Sequence, residues 1–154
     1  MHQQRRDMLR ISTVLGLAVA AGVLSPAEAL AAETWNSAAF DTKTLDDTVK
    51  ALGGAGAAVS REIVINAPEI AENGAVVPVS VSTTLPNVQQ IAILVEKNPN
   101  ALSANFMIPS GTEAYVSTRV KMAQTSNVYA LAKVDGKWLV ASKEVKVTLG
   151  GCGG

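Results

Sequence analysis

A chain of 154 residues with 48% hydrophobic and 17% charged residues can build one modest domain, and we expect no second one. Its 13 basic and 13 acidic residues give a formal net charge of zero, which excludes the strong positive field of a protein that binds nucleic acid or an anionic membrane. Neither is expected as a partner.

Residues 1–31 have the three parts of an export signal, namely a basic start, an apolar stretch and small residues at Ala29-Leu30-Ala31 or just before them. The run from Arg5 to Arg10 resembles a twin-arginine signal, in which paired arginines precede an apolar pair and a further basic residue. An ordinary secretory signal with adjacent arginines is the alternative. Because the twin-arginine route exports folded proteins, we expect a periplasmic protein that brings a partner with it.

Residues 41–53 are predicted to form a short amphipathic helix. Leu45, Val49 and Leu52 recur at helical spacing. Asp41 can cap its start, and Gly53-Gly54 can end it. The small residues that follow, up to Ser60, predict a loop.

Residues 61–149 are predicted to form an immunoglobulin-like β-sandwich of about seven strands, so the fold class is all-β. Pro78 indicates an edge or a bulge, and Asp135-Gly136 a hairpin turn. Trp138 is expected to be buried between the sheets, with ligand stacking as the alternative. The predicted strands are Glu62–Asn66, Val76–Thr84, Val88–Glu96, Ala101–Ile108, Ala114–Met122, Val128–Val134, Lys137–Val140 and Glu144–Leu149.

The only histidine is His2, inside the signal, so the exported chain has no imidazole. This excludes Ser-His and Cys-His nucleophile pairs and any histidine-ligated metal or haem site built from this chain alone. The neighbouring carboxylates Asp46 and Asp47, and the pair Glu69 and Glu72, are expected to be solvated charges rather than an acid and a base. We therefore expect no resident cofactor, no metal and no catalytic residues.

The last five residues, Gly150-Gly151-Cys152-Gly153-Gly154, carry the single cysteine. One thiol in an exported protein must be free, modified or paired with another molecule. Glycines give the segment maximal backbone freedom and a thin cross-section, so we predict a flexible tail. From Leu149 it could project the sulfur about 10 Å, far enough to enter a narrow cleft in another protein.

The terminal Gly-Gly-Cys-Gly-Gly, the twin-arginine pattern and the segment 65–79 together resemble the SoxY family of the periplasmic thiosulfate-oxidising (Sox) system. The resemblance implies a carrier, not an enzyme, whose Cys152 holds sulfur intermediates covalently. It implies a heterodimer with a SoxZ-like subunit. It also implies that a SoxXA-type haem protein loads thiosulfate as a cysteine S-thiosulfonate, and that a SoxB-type hydrolase and a sulfane dehydrogenase act on it transiently.

One alternative from another class stays open. The protein could be an immunoglobulin-like binding or assembly module that uses Cys152 only for an intermolecular disulfide.

Overall fold

Two short helices precede nine strands in residues 36–150, which are the residues that the computed structural model describes. The helices are α1 (Ser37–Phe40) and α2 (Leu45–Ala51). The strands are β1 (Ala57–Val59), β2 (Ile63–Asn66), β3 (Ile70–Ala71), β4 (Val77–Thr83), β5 (Val88–Val95), β6 (Leu102–Met107), β7 (Tyr115–Val120), β8 (Ser126–Val134) and β9 (Lys137–Val147).

The strands form two sheets. The larger has the order β1-β9-β8-β5-β6, with β3 also paired to β9, and the smaller has the order β2-β4-β7. Alternate residues of β4, such as Val77, Val79 and Val81, point inward and meet Ile91 and Ile93 of β5 in one buried cluster between the sheets. The predicted all-β, immunoglobulin-like sandwich is confirmed.

A second core lies on the outer face of the larger sheet. The alternate residues of β5, Ala92 and Leu94, pack there with Val49 of α2 and with Trp138. The helices therefore cover that face, and β5 is buried on both sides, as its continuous apolar run requires. Trp138 is buried as expected, but under the helices rather than between the sheets.

The helix begins later than the sequence indicates. Thr44 caps it by accepting a hydrogen bond from the Asp47 amide at 3.1 Å, whereas Asp41 ends the preceding helix α1. Gly53 follows α2 with a φ of 83°, the conformation that a glycine stop allows. No helix in residues 36–150 is long and apolar enough to cross a membrane.

Three strand predictions differ from the structure. The two strands predicted at 137–140 and 144–149 are one continuous strand, β9. Residues 57–59, predicted as loop, form β1, which pairs in parallel with β9. The short strand β3, also missed, pairs with the other end of β9. Both additions gain their hydrogen bonds from the long β9, so their own sequences carry little signal.

The turn predictions agree with the structure. Asp135 and Gly136 have φ values of 47° and 78°, as the favoured two-residue hairpin turn requires, and they join β8 to β9. Pro78 lies in β4 opposite Arg119 of β7. On its other side, β2 pairs only with residues 80–83, so Pro78 sits where β4 is locally an edge within the described residues.

Candidate functional site: the base of the cysteine tail

The end of β9 is held on one side by the segment that contains β3. The amide of Lys146 donates to the Glu69 carbonyl at 2.9 Å, and the amide of Thr148 donates to the Ala71 carbonyl at 3.1 Å. The Leu149 carbonyl then accepts from the Gly74 amide at 2.7 Å. These bonds fix the backbone of β9 and its continuation as far as Leu149.

The loop between β7 and β8 lies on the other side of the end of β9. We call the end of β9 together with these two flanking segments the tail base. The Ala123 carbonyl oxygen in that loop lies so close to the Cα of Gly150 that a Cβ there would collide with it. The Met122 amide donates to the Gly74 carbonyl at 2.7 Å, which ties the loop to the opposite segment. The chain therefore leaves β9 between these two segments, the walls of the base, and a Cβ at Gly150 would collide with the Ala123 wall.

Asn98 holds the loop in place from the neighbouring turn. Its Nδ2 donates to the Lys121 carbonyl at 2.7 Å, and its Oδ1 accepts from the Ala123 amide at 3.1 Å. Thr125 adds a third tie, because its Oγ1 accepts from the Val147 amide at 2.9 Å. Buried or half-buried polar groups fixed in this way make the wall a defined surface.

The surroundings of the base are exposed and chemically mixed. Ile70, Val76 and Leu149 are 58%, 54% and 65% exposed. Glu72 and Lys146 are exposed as well. Within residues 36–150, no group of three or more cysteine, histidine, aspartate or glutamate side chains is placed to hold a metal ion.

Of the predicted tail, Gly150 is the one residue that the structure describes. Cys152, Gly151, Gly153 and Gly154 lie outside the described residues, as does the export signal at 1–31.

The two carboxylate pairs, Asp46 with Asp47 and Glu69 with Glu72, lie on the surface. Asp46 and Asp47 are exposed in the first turn of α2, where the Thr44 hydroxyl donates to Asp47 Oδ2 at 2.7 Å. Acidic groups at a helix N-terminus stabilise the helix. The side chains of Glu69 and Glu72 are exposed, while their carbonyl groups help to hold the end of β9.

The residues that build the walls were not predicted from the sequence. The dipeptide Asn73-Gly74 is typical of turns only, and the local sequence around Asn98 and Ala123 indicates no function. Their role arises from contacts between segments that are distant in the chain, and no local pattern shows such contacts.

Comparison with known proteins identifies the family. The model of the family "Sulfur oxidation protein SoxY" matches residues 49–152. The solved structure of the sulfur carrier protein SoxY from Chlorobium limicola f thiosulfatophilum is 38% identical, with a TM-score of 0.59, and the match covers 67% of this chain and 96% of that chain. The search of the curated proteins found no match.

A superoxide reductase (neelaredoxin) from Ignicoccus hospitalis is similar in fold alone. It is 23% identical, with a TM-score of 0.51, over 56% of this chain and 80% of that one. The matched range of the family model, by contrast, runs to Cys152 and so includes β1 to β9 and the base described above. This chain belongs to the SoxY family.

Proposed function

We propose that this protein carries sulfur intermediates of thiosulfate oxidation covalently on the thiol of Cys152 and presents them to partner enzymes. Membership of the SoxY family makes it a sulfur carrier of the Sox system. The observation that supports the finer claim is the extent of the family match, which reaches Cys152, the single cysteine of the chain.

The chemistry needs no catalytic group from this chain. Loading joins the outer sulfur of thiosulfate to Sγ of Cys152. The thiol loses its proton to solvent, and a haem protein of the SoxXA type accepts the two electrons. The product is a cysteine S-thiosulfonate. A SoxB-type hydrolase then adds water across the bond between sulfur and the sulfonate, which releases sulfate and a proton and leaves a persulfide on Cys152. A sulfane dehydrogenase would oxidise the remaining sulfur.

An exposed thiol permits this sequence, because sulfur–sulfur bonds form and break by redox and exchange reactions that need access to the sulfur atom. Covalent attachment also keeps a small anion from diffusing away between enzymes. With no histidine after His2, the exported chain has no imidazole with which to activate the thiol. The carrier is thus a substrate for its partners.

The proposed setting is the periplasm, reached by the twin-arginine route as a folded heterodimer with a SoxZ-like subunit. The pattern around Arg5 and Arg6 supports that route. A partner without its own signal would cross with the carrier, which would explain the use of an export system for folded proteins.

The test is Cys152→Ser, with Cys152→Ala as a second variant. Both should abolish thiosulfate-dependent respiration while the heterodimer still co-purifies and its melting temperature is unchanged. Survival of respiration in either variant would overturn the proposal.

Intact-mass measurement separates the carrier from the binding module. Carrier isolated from cells growing on thiosulfate should have a reducible addition on its C-terminal peptide. A disulfide-linked assembly module should instead yield only cysteine-linked dimer.

A further inference from the structure

We propose that two copies of this protein associate through β6, with the two β6 strands paired antiparallel across a two-fold axis at Phe106. The pairing joins the larger sheets of both copies into one continuous sheet. This inference goes beyond the proposed function, because it concerns the assembly of the protein and not the carried sulfur.

Strand β6 is a long sheet edge without charge. It ends the larger sheet, and among residues 36–150 no strand pairs with its outer side. None of residues 102–108 is charged. Of the other edge strands, β1 and β2 have only three and four residues, and β7 contains Arg119. Because proteins protect exposed edges with short strands or charges, the uncharged edge of β6 marks a surface for pairing.

The backbone groups that point away from β5 can be assigned from one bond. The Ile108 amide donates to the Gln89 carbonyl at 2.9 Å, so the backbone of Ile108 points toward β5. This direction alternates along an antiparallel strand. The amide and carbonyl groups of Asn105 and Met107 therefore point outward and are available to a further strand.

The regular part of this edge is centred on Phe106. The pairing with β5 shifts its register just before Ala104. At the other end, Pro109 has no amide hydrogen and closes the ladder after Ile108. Phe106 is the middle residue of the segment 104–108, so an antiparallel copy centred there overlaps the whole segment.

An axis at Phe106 also satisfies the outward groups of both copies. Asn105 of each copy lies opposite Met107 of the other, and the two residues exchange both of their backbone hydrogen bonds. Phe106 lies opposite its own copy in the closer type of pair, where aromatic side chains stabilise the sheet. Because the segment is uncharged, the symmetry places no like charges together. A second copy of β6 is therefore the complement of this edge.

The apolar side chains on one face of the edge support the same partner. Ala104, Phe106 and Ile108 alternate along the chain and so share one face. All three pack against the core between the sheets but stay only half-buried. Pairing across the axis continues this row into the second copy, which covers the apolar surface that the edge leaves in water.

This contact leaves the tail base uncovered. Ile91 pairs with both Phe106 and Ala132, and Ala132 pairs in turn with Leu139. Phe106 is thus level with Leu139 of β9, whereas β9 ends at Val147, about 26 Å further along the strand. Association through β6 is therefore compatible with delivery of the tail to other proteins.

The experiment uses the exported chain with Cys152→Ser, which removes disulfide-linked dimers. Sedimentation equilibrium from about 1 μM to about 1 mM gives the Kd of self-association. Met107→Pro is the test variant, because proline replaces an outward amide and keeps the bonds to β5. Asn105 is left unchanged, since its Oδ1 accepts from Gln90 Nε2 at 2.7 Å.

Ser117→Pro is the matched control on the other long edge. Ser117 is exposed in the middle of β7. The Ala114 carbonyl accepts from the Thr83 amide at 3.1 Å, so by the same alternation the Ser117 amide points away from β4. The control thus removes an outward amide of the same kind from an edge that the proposal leaves free.

The chain with Cys152→Ser should dimerise, Met107→Pro should raise the Kd by at least about tenfold, and Ser117→Pro should leave it unchanged. Met107→Lys is a second variant that keeps the backbone amide. Its two ammonium groups start from diagonal positions about 7–8 Å apart across the axis, so its Kd should also rise, and less so at high salt. An equal rise with Ser117→Pro, or no rise with either Met107 variant, would overturn the proposal.

Amide hydrogen exchange locates the contact. The amides of Asn105 and Met107 should be protected only at concentrations where the chain is a dimer, whereas the Ile108 amide should be protected at every concentration. A chain that stays monomeric, or a dimer in which the Asn105 and Met107 amides exchange freely, would contradict the pairing. Protection of these amides only after addition of the SoxZ-like subunit would give the edge to that subunit, and the second copy would be ruled out.

Discussion

The Ala123 carbonyl oxygen lies against the Cα of Gly150, so any side chain at residue 150 would collide with backbone. The collision can be relieved only by moving the loop or redirecting the tail. Because the loop is tied to Asn98 and Gly74, the tail is the part that moves. A side chain at residue 150 would therefore displace the backbone of residue 150, where the predicted tail begins.

We predict that Gly150→Ala lowers the kcat/KM of the loaded carrier with a partner hydrolase by about tenfold to a hundredfold, since small misplacement of a reacting group costs that much. The free energy of unfolding should change by less than about 0.5 kcal/mol, because Gly150 is exposed and lies beyond the end of β9. Gly56→Ala is the control, since a Cβ there meets nothing within 4 Å. Wild-type turnover of Gly150→Ala would contradict the assignment.

Asn98→Ala should destabilise the domain by about 1–3 kcal/mol, because it removes an acceptor for the Ala123 amide and a donor to the Lys121 carbonyl. Urea unfolding measures the change. It should also reduce turnover of the loaded carrier, since the wall beside Gly150 loses its support. Asn100→Ala is the matched control, because within residues 36–150 the Asn100 side chain accepts one exposed hydrogen bond, from Lys43. Equal destabilisation by both variants would refute the special role of Asn98.

The sequence predicted the sandwich well where one side of a strand is buried and the other exposed. In β4, the alternation of Val77, Val79 and Val81 with smaller or polar residues marks the inner face directly. The same rule fails for β9, where Trp138 faces the helices and Leu139 faces the sandwich core. Both faces of that sheet are covered, so periodicity cannot tell which core a residue joins.

The tail was predicted from composition, and its base was not. The glycines on both sides of the single cysteine predict a flexible tail from composition alone. The fit of Gly150 against Ala123 depends on a contact across 27 positions, and it is set by the strands that bring these segments together. Local sequence cannot specify such a contact, whereas it can specify the Asp135-Gly136 turn.

Gly54→Ala should destabilise the fold by about 1–3 kcal/mol, as overpacking does. A Cβ at Gly54 would collide with the indole ring of Trp138 and with Val49, which lie in the core under the helices. The same ring has a buried Nε1 with no hydrogen-bond partner among residues 36–150, and the ammonium of Lys133 lies 5.8 Å from its centroid. Displacement of α2 should therefore appear as a change in tryptophan fluorescence.

For this variant too, Gly56→Ala separates the collision from the general effect of replacing a glycine in the same loop. Chemical denaturation of both variants gives the comparison. Equal free energies of unfolding for Gly54→Ala and Gly56→Ala would contradict the prediction, because they would show that the loop moves aside without loss of stability.

Tyr129 should titrate above its ordinary pKa of 10.0. Burial raises the pKa of its hydroxyl first, and the hydrogen bond to Glu96 at 3.1 Å and the negative charge of Glu96 raise it further, while Asn127 opposes them. The folded protein thus holds the proton more tightly than the unfolded chain does. This contribution to stability is complete below the unfolded pKa and is lost as the pH rises from about 10 through the folded pKa.

Ultraviolet absorbance in the Tyr115→Phe background isolates Tyr129, because the chain has 2 tyrosines. Glu96→Gln should lower the midpoint, since it removes the negative charge that opposes phenolate formation. Burial by the fold remains in that variant, so the pKa should fall only part of the way to its ordinary value. A titration midpoint of Tyr129 unaffected by Glu96→Gln would mean that desolvation alone raises the pKa. A midpoint at 10.0 before the substitution would contradict the raised pKa.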